Sequence, residues 1–292
     1  MKISIVVNTF NEEENLPRCL ASVKDFSDEI VVVDMGSTDQ TTAVAKKFKA
    51  KVFNHQYTRY VEPARNFALS KATGNWILVI DADEELPRTL AVRLKKIAQD
   101  NKFDYVEIPR KNIIFGKWIE HSRWWPDYLV RFFRKGAVKF SEKIHQPPEA
   151  KGQGTKLEAE EENALVHHNF QSISQFIERL NRYSDIQAEE IALKEKFEWK
   201  ELITKPSDEF LSRFFAGEGY KDGLHGLVLA LLQAFSEFVV YLKVWEKGNF
   251  EQEEIEGINK LSLKVIHNYL YWLQKTTSSP FEKLRFKLKS KI

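Results

Sequence analysis

Four short β-rich runs, at 3–7, 30–33, 52–53 and 76–80, alternate with stretches of crossover-helix length at 15–23, 41–48 and 63–72, and no other feature constrains the fold as strongly. Parallel strands cannot be joined by a tight hairpin. Each needs a long return, usually helical, so the alternation predicts βαβ units and an open, doubly wound, largely parallel sheet. Runs such as Ile30-Val31-Val32-Val33 and Trp76-Ile77-Leu78-Val79-Ile80 are apolar throughout, as strands covered on both faces are. In such sheets ligands bind beyond the carboxyl ends of the strands. The polar residues that end each run are therefore where chemistry is to be sought.

Downstream, an amphipathic helix is expected over 86–98, and 105–146 mixes β-branched and aromatic residues as further strands and a loop would. The Lys-, Gly- and Glu-rich stretch 149–163 reads as a solvated loop or hairpin tip. From 174 onward Phe176, Ile177, Leu180, Tyr183 and Ile186 recur at helical spacing, and the shift near Ser172 divides the chain into a domain over 1–172 and a helical region over 173–292. The segment 224–245 approaches the ~20 apolar residues that span a bilayer. Gln233, Ser236 and Glu237 lie near its middle, where a charge costs roughly 2.5–3.5 kcal/mol, so a buried or interfacial helix is expected. The tail 283–291 interleaves Lys and Arg with Leu and Phe, which suits an anionic lipid surface and equally a solvated basic end.

Among 292 residues, 44 basic side chains face 42 acidic ones, which gives no support to a general nucleic-acid surface. A lone cysteine, Cys19, excludes an intrachain disulfide framework and suits a reducing compartment, so the cytoplasm is the expected location. The opening apolar run is short, β-branched and followed at once by Glu12, Glu13 and Glu14, as a strand rather than a signal peptide would be.

The fourth run ends in Asp81-Ala82-Asp83-Glu84-Glu85. Carboxylates crowded at one strand end repel unless a cation meets them, and hard oxygen ligands favour Mg²⁺ or Mn²⁺, which also grip phosphates. Alternate residues of an extended segment point the same way, so Asp81 and Asp83 can address one site. The bland alternative is a helix start, with Glu84 and Glu85 at its positive end. The second run ends in Asp34-Met35-Gly36-Ser37-Thr38-Asp39, where Asp34 can accept a hydrogen bond from a base and Asp39 is better placed to cap the next helix. The first run ends in Asn8, Thr9, Asn11 and Glu12, so three strand ends converge on one crevice.

Taken in order, Val6-Val7-Asn8-Thr9-Phe10-Asn11-Glu12-Glu13, Val32-Val33-Asp34-Met35-Gly36-Ser37-Thr38-Asp39, Ala64-Arg65-Asn66 through Gly74, and Asp81-Ala82-Asp83-Glu84 resemble the signature of family 2 glycosyltransferases. Trp124-Trp125-Pro126-Asp127-Tyr128-Leu129-Val130-Arg131, Val166-His167-His168, and Phe214 through Gly223 are similar to the branch that includes bacterial lipopolysaccharide-core glucosyltransferases. The resemblance implies a GT-A fold, here a Rossmann-like α/β domain with a C-terminal helical extension. It also implies a nucleoside-diphosphate sugar donor, with a UDP-sugar as the leading choice, Mn²⁺ or Mg²⁺, and inversion at the anomeric carbon. It further implies a glycan or lipid-linked acceptor of the cell envelope, with contact to the inner membrane face and self-association left open. By it Thr9, Asn11, Glu12 and Asp34 hold the nucleoside, Arg65 approaches the base or diphosphate, Asp81 sits near the ribose or metal, and Asp83 is the stronger metal ligand.

An inverting transfer needs a base for the acceptor hydroxyl. The same resemblance points to Asp127, followed by Leu129 and Arg131, although Pro126 stands where many relatives have another acid. Asp127 could instead cap a helix beginning at Tyr128. His145 could bind metal or diphosphate, but Gln146 follows it where relatives carry Glu, so Glu142 or Glu149 could supply the missing acid. Of the adjacent His167 and His168 at most one can serve, since neighbours on a strand point to opposite faces. Trp118, Trp124, Trp125 and Tyr128 are expected either to stack on an acceptor sugar or to pack in the core. Two rivals remain: an inactive nucleotide-sugar-binding scaffold, and a nucleotidyltransferase. The latter lacks the expected Gly-rich phosphate loop after the first strand, where Asn11-Glu12-Glu13-Glu14 stands.

Overall fold

The computed structural model describes residues 1–141 and 146–289, in two compact units: 1–114 with 125–169, and 115–124 with 170 onward. In the first unit the apolar runs become parallel strands β1 (Ile3–Thr9), β2 (Glu29–Asp34), β3 (Lys51–Asn54) and β4 (Trp76–Val79), returned by helices α1 (Leu16–Val23), α2 (Thr41–Lys47) and α3 (Glu62–Lys71). β1, β2 and β4 are buried along their whole length, whereas β3, the edge strand, is half-exposed.

The chain continues through β5 (Glu84–Glu85), α4 (Arg88–Asp100) and β6 (Tyr105–Ile114), then, after the two-residue β7 (Lys117–Trp118) of the second unit, β8 (Asp127–Arg134), β9 (Val138–Lys139), β10 (Glu149–Ala150), β11 (Gly154–Lys156) and β12 (Leu165–Phe170). The sheet runs β3-β2-β1-β4-β8-β6-β12-β5, with β11 beside β6 and β8 antiparallel to both its neighbours. β9 and β10 form a separate antiparallel ribbon. This is the α/β architecture with C-terminal helices that the sequence predicts.

Strand alternation sorts the core onto two faces. Ile5, Val7, Leu78 and Ile80 pack with Leu16 and Leu20 of α1 and Leu90 and Leu94 of α4, while Val6, Val31, Val33, Ile77 and Val79 pack with Ala68 of α3 and Ala72. Gly74 lies where α3 turns into β4. A Cβ there would fall 2.7 Å from Ser4 Oγ and 2.8 Å from Ser4 N, so only glycine lets the backbones meet.

Three local expectations change. Glu84 and Glu85 do not open a helix; they form β5, antiparallel to β12, and α4 begins at Arg88. No helix starts at Tyr128 either, because Asp127 opens a strand rich in aromatic and branched residues. The stretch 149–163 holds β10, β11 and a short 3₁₀ turn at Glu161–Asn163.

In the second unit Ser172 caps α5 (Ile173–Ala192) by accepting from Gln175 N–H at 3.1 Å. α6 (Glu201–Leu211) runs into a π turn at Ser212–Ala216, and α7 (Leu224–Lys247), α8 (Ile258–Thr276) and α9 (Pro280–Lys289) follow. α7 is long and apolar enough to cross a membrane. It buries one face, with Gly226, Leu229, Ala230, Ala234, Val240 and Tyr241 inward, and packs on α5 and α6. Buried Asp222 accepts from His121 N–H at 3.0 Å and pairs with His121 Nδ1 at 3.1 Å, tying 115–124 to this unit.

Candidate active site

The carboxyl ends of β1, β2 and β4 lie side by side, with Thr9 opposite Asp34 and Val6 opposite Val79 in the registers. Side chains tie the loops that leave β1 and β2. Asn11 Oδ1 accepts from Thr38 N–H at 2.8 Å, Asn11 N–H donates to Ser37 Oγ at 2.8 Å, and Glu12 N–H donates to Thr41 Oγ1 at 2.7 Å. Asp39 accepts from Thr41 N–H at 2.9 Å, bonding the first residue of α2 from one position before its N-cap, Gln40, close to the capping role favoured for it from sequence. Asp34 is spent on its own turn. It accepts from Gly36 N–H at 3.1 Å, Ser37 N–H at 3.0 Å, Ser37 Oγ at 2.5 Å and Thr9 Oγ1 at 3.3 Å.

Beyond β4, charges alternate along one connected chain: Arg65, Asp81, Arg131, Glu84, Arg110, Asp127. Arg65 Nη2 lies 3.0 Å from Asp81 Oδ1, and Arg131 Nη2 bonds Asp81 Oδ2 and approaches Glu84 Oε1 at 3.3 Å. Arg110 Nη1 lies 3.4 Å from Glu84 Oε1, and its Nε and Nη2 donate to Asp127 Oδ2 at 2.9 and 2.5 Å. Burial pushes the Asp81 carboxyl upward, but Arg131 and Arg65 outweigh it and hold it well below the usual carboxylate range. For Arg131 burial favours loss of the proton, and Asp81 and Glu84 reverse that and keep it charged. Asp81 is thus engaged by two guanidinium groups. Cys19, with Sγ 3.4 Å from Asp81 O, has its thiol pushed up by burial and by Glu84, and stays an inert thiol.

Asp83 faces a different partner. Its Oδ2 lies 3.5 Å from His167 Nε2, and His168 N–H donates to Asp83 O at 2.9 Å. Asn112 Nδ2 points to Asp127 Oδ2 at 3.4 Å, which turns its Oδ1 to His167 Nδ1 at 2.7 Å. With Nδ1 held against Asn112, Nε2 is the nitrogen presented to Asp83, as ligating histidines are held by their other nitrogen. His168 points the other way, 3.5 Å from Glu85. Among the described residues no group of three or more His, Cys, Asp or Glu side chains gathers for a metal. A carboxylate and an imidazole facing each other nevertheless fit two positions of a divalent cation whose other ligands would be phosphate oxygens and water.

Several buried polar atoms in this region have no hydrogen-bond partner, among them Arg131 Nε and His168 Nε2. Asn8, next to the end of β1 and 7% exposed, has neither Oδ1 nor Nδ2 bonded, and Arg65 keeps Nη1 unbonded. Buried polar atoms without partners are rare, and a ligand is one way they are satisfied.

The remaining expected residues scatter. Glu149 is exposed on the β9–β10 ribbon opposite Lys139. Glu142 and His145 lie outside the described residues. Tyr128 donates its hydroxyl to Leu157 O at 2.8 Å under Lys156 Nζ, while Trp124 belongs to the second unit with Arg213 5.3 Å over its ring. The sequence marks Asn8 and Glu84 only as polar ends of their strands, Glu84 as part of the acidic cluster or of a helix start, and carries no signal for Arg110 or Asn112. Arg131 carried a signal, since it lies in the quoted motif two residues after Leu129.

A family model described as glycosyl transferase family 2 matches residues 4–153. An uncharacterized glycosyltransferase of Rickettsia typhi is 31% identical over 259 residues, covering 84% of this chain and 87% of that one. The lipopolysaccharide core biosynthesis glycosyltransferase LpsC of Rhizobium meliloti is 24% identical over 255 residues, 85% of this chain and 93% of its own. The crystal structure of S. aureus TarS 1–349 is similar at a TM-score of 0.43 and 16% identity, covering 93% of this chain and 81% of that one.

Proposed function

The chain belongs to glycosyl transferase family 2, and from that premise we propose that it is an inverting, metal-assisted transferase of a sugar from a nucleoside-diphosphate donor, a UDP-sugar first. The observation that carries this reading is the Asp83–His167 pair beside the Asp81–Arg65–Arg131 cluster at the open end of the parallel strands. Asp83 and His167 would hold Mn²⁺ or Mg²⁺, which when bound supplies positive charge to the departing diphosphate. His145 is a further candidate ligand outside the described residues. Asp81, already engaged by two arginines, positions Arg65 rather than the cation, and the unbonded Nη1 of Arg65 is suited to a phosphate oxygen. Thr9, Asn11, Glu12 and Asp34 shape the nucleoside wall, and Asn8 adds an amide to it.

Asp127 is the proposed base. Arg110 and Asn112 hold its Oδ2 in place, and Oδ1 is the atom assigned to take the acceptor proton as the hydroxyl oxygen attacks the anomeric carbon. Glu149 or Glu142 replaces it only if Asp127 proves dispensable. The name of the Rhizobium relative, a lipopolysaccharide core biosynthesis glycosyltransferase, supports an acceptor in envelope polysaccharide synthesis; a glycan or lipid-linked acceptor and a donor supplied in the cytoplasm belong to the same proposal.

The test is release of nucleoside diphosphate on mixing the protein with a panel of nucleotide-sugars, Mn²⁺ and an envelope lipid extract. Release with one donor is expected, lost with Asp83→Ala and with chelator. Asp127→Asn should keep donor binding, read as a thermal shift, and lose turnover by about 10²–10⁴-fold. Donor binding with no release from any acceptor fraction would leave a scaffold; turnover retained in Asp127→Asn would move the base elsewhere.

A further inference from the structure

Neither α8 nor α9 of the second unit has a single buried residue, and both carry apolar side chains in water. On α9 Phe281, Leu284 and Leu288 are 76%, 57% and 58% exposed. Their i, i+3, i+7 spacing puts them on one face of the helix. On α8 Leu263 and Ile266, each 52% exposed, stand one turn apart, and Tyr271 is exposed as well. The charge on these helices is one-sided. Over 258–289 Lys260, Lys264, Lys275, Lys283, Arg285, Lys287 and Lys289 face Glu282 alone, in a chain whose totals nearly balance.

We propose that α8 and α9 form a docking surface for an anionic lipid bilayer, with the Phe281–Leu284–Leu288 stripe entering the headgroup boundary and the flanking Lys and Arg meeting lipid phosphates. An exposed apolar stripe flanked by cations is the pattern of a helix lying in a membrane interface. Lys and Arg stems cover apolar surface while their heads stay at the phosphate level. A second copy of the chain is the poorer occupant, because pairing the two faces would bring like charges together where the lipid brings opposite ones. Each basic side chain near an anionic surface strengthens binding by about fivefold. Docking is independent of the transfer reading, since it is measured with no donor present.

The experiment is co-sedimentation of the full chain with phosphatidylcholine vesicles, with and without one-third phosphatidylglycerol. Binding to the anionic vesicles at least about tenfold tighter than to neutral ones, and weakened by salt, is expected. Lys283→Glu/Arg285→Glu/Lys287→Glu should reduce it by about tenfold or more, and Phe281→Glu/Leu284→Glu should weaken it even at low salt. Both variants change exposed positions and should melt as the parent does. Equal binding to the two vesicle types, no binding by the parent, or concentration-dependent self-association relieved by Phe281→Glu/Leu284→Glu without vesicle binding would overturn the proposal.

Discussion

Both ends of the parallel sheet bury carboxylates, but only one end is closed. At the amino ends of the strands Glu29 accepts from Ser4 Oγ at 2.5 Å, Thr73 N–H at 2.8 Å, Thr73 Oγ1 at 2.9 Å and Lys51 Nζ at 2.7 Å, and Ser4 Oγ in turn accepts from Gly74 N–H at 2.8 Å. At the carboxyl ends Asp81 and Glu84 are also paired, yet Asn8 and Arg65 keep polar atoms with no partner. Ser4 and Asn8 sit on the same strand and the same face, one fully bonded and the other not. A buried carboxylate is therefore no mark of a site by itself. On the proposed reading, the leftover donors and acceptors at Asn8 and Arg65 distinguish the donor-binding end from the structural one.

The comparison breaks first at Arg131. Its guanidinium is almost wholly buried between Asp81 and Glu84, and Glu84 has no exposure of its own. Removing one partner of a buried network leaves the other charge uncompensated, so Arg131→Met should cost about 3–5 kcal/mol in urea unfolding. Adding Glu84→Gln to that variant should recover part of the loss. A cost under about 1 kcal/mol would mean that the network is solvated and the open end is not built as described.

Glu29 gives the next largest effect. Burial raises its pKa, but bonds from Lys51, Ser4 and Thr73 bring it from 4.5 down to about 2. The stabilisation, on the order of 3 kcal/mol, is fully present above the unfolded value and is lost as pH falls through the window from about 4.5 to about 2. Glu29→Gln should flatten that part of the stability–pH curve and leave donor affinity at neutral pH unchanged. A Glu29→Gln variant with parental acid unfolding would show that the closed end contributes little.

The sequence made the closed half of this picture readable and left much of the open half hidden. β1, β2 and β4 are legible because strands buried on both faces must be apolar throughout, and Gly74 was legible as part of a motif. The pairs Asp83–His167 and Arg110–Asp127 depend on cross-strand register, His167 opposite Glu84 and Arg110 opposite Asp127, which no local period encodes. Asp127 was read as a base or a helix cap, and the run that follows it, Tyr128 through Phe133, packs as a strand between β4 and β6 because long-range pairing decides such stretches. Asp34 was legible as polar at a strand end. That it bonds its own turn follows from Gly36 and Ser37 folding back upon it.

Asn8 carries the smallest effect and the sharpest contrast. If its amide waits for the donor, Asn8→Ala should leave the melting temperature unchanged or slightly raised, since removing an unpaired buried polar group removes a desolvation cost without breaking any bond. The same change should raise the donor KM by about tenfold, the worth of about one lost hydrogen bond, with kcat little altered. Ser4→Ala, on the same face of the same strand, should do the reverse, lowering stability by about 1 kcal/mol and sparing donor KM. A destabilised Asn8→Ala with parental KM would make the two residues alike and remove the distinction between the ends of the sheet.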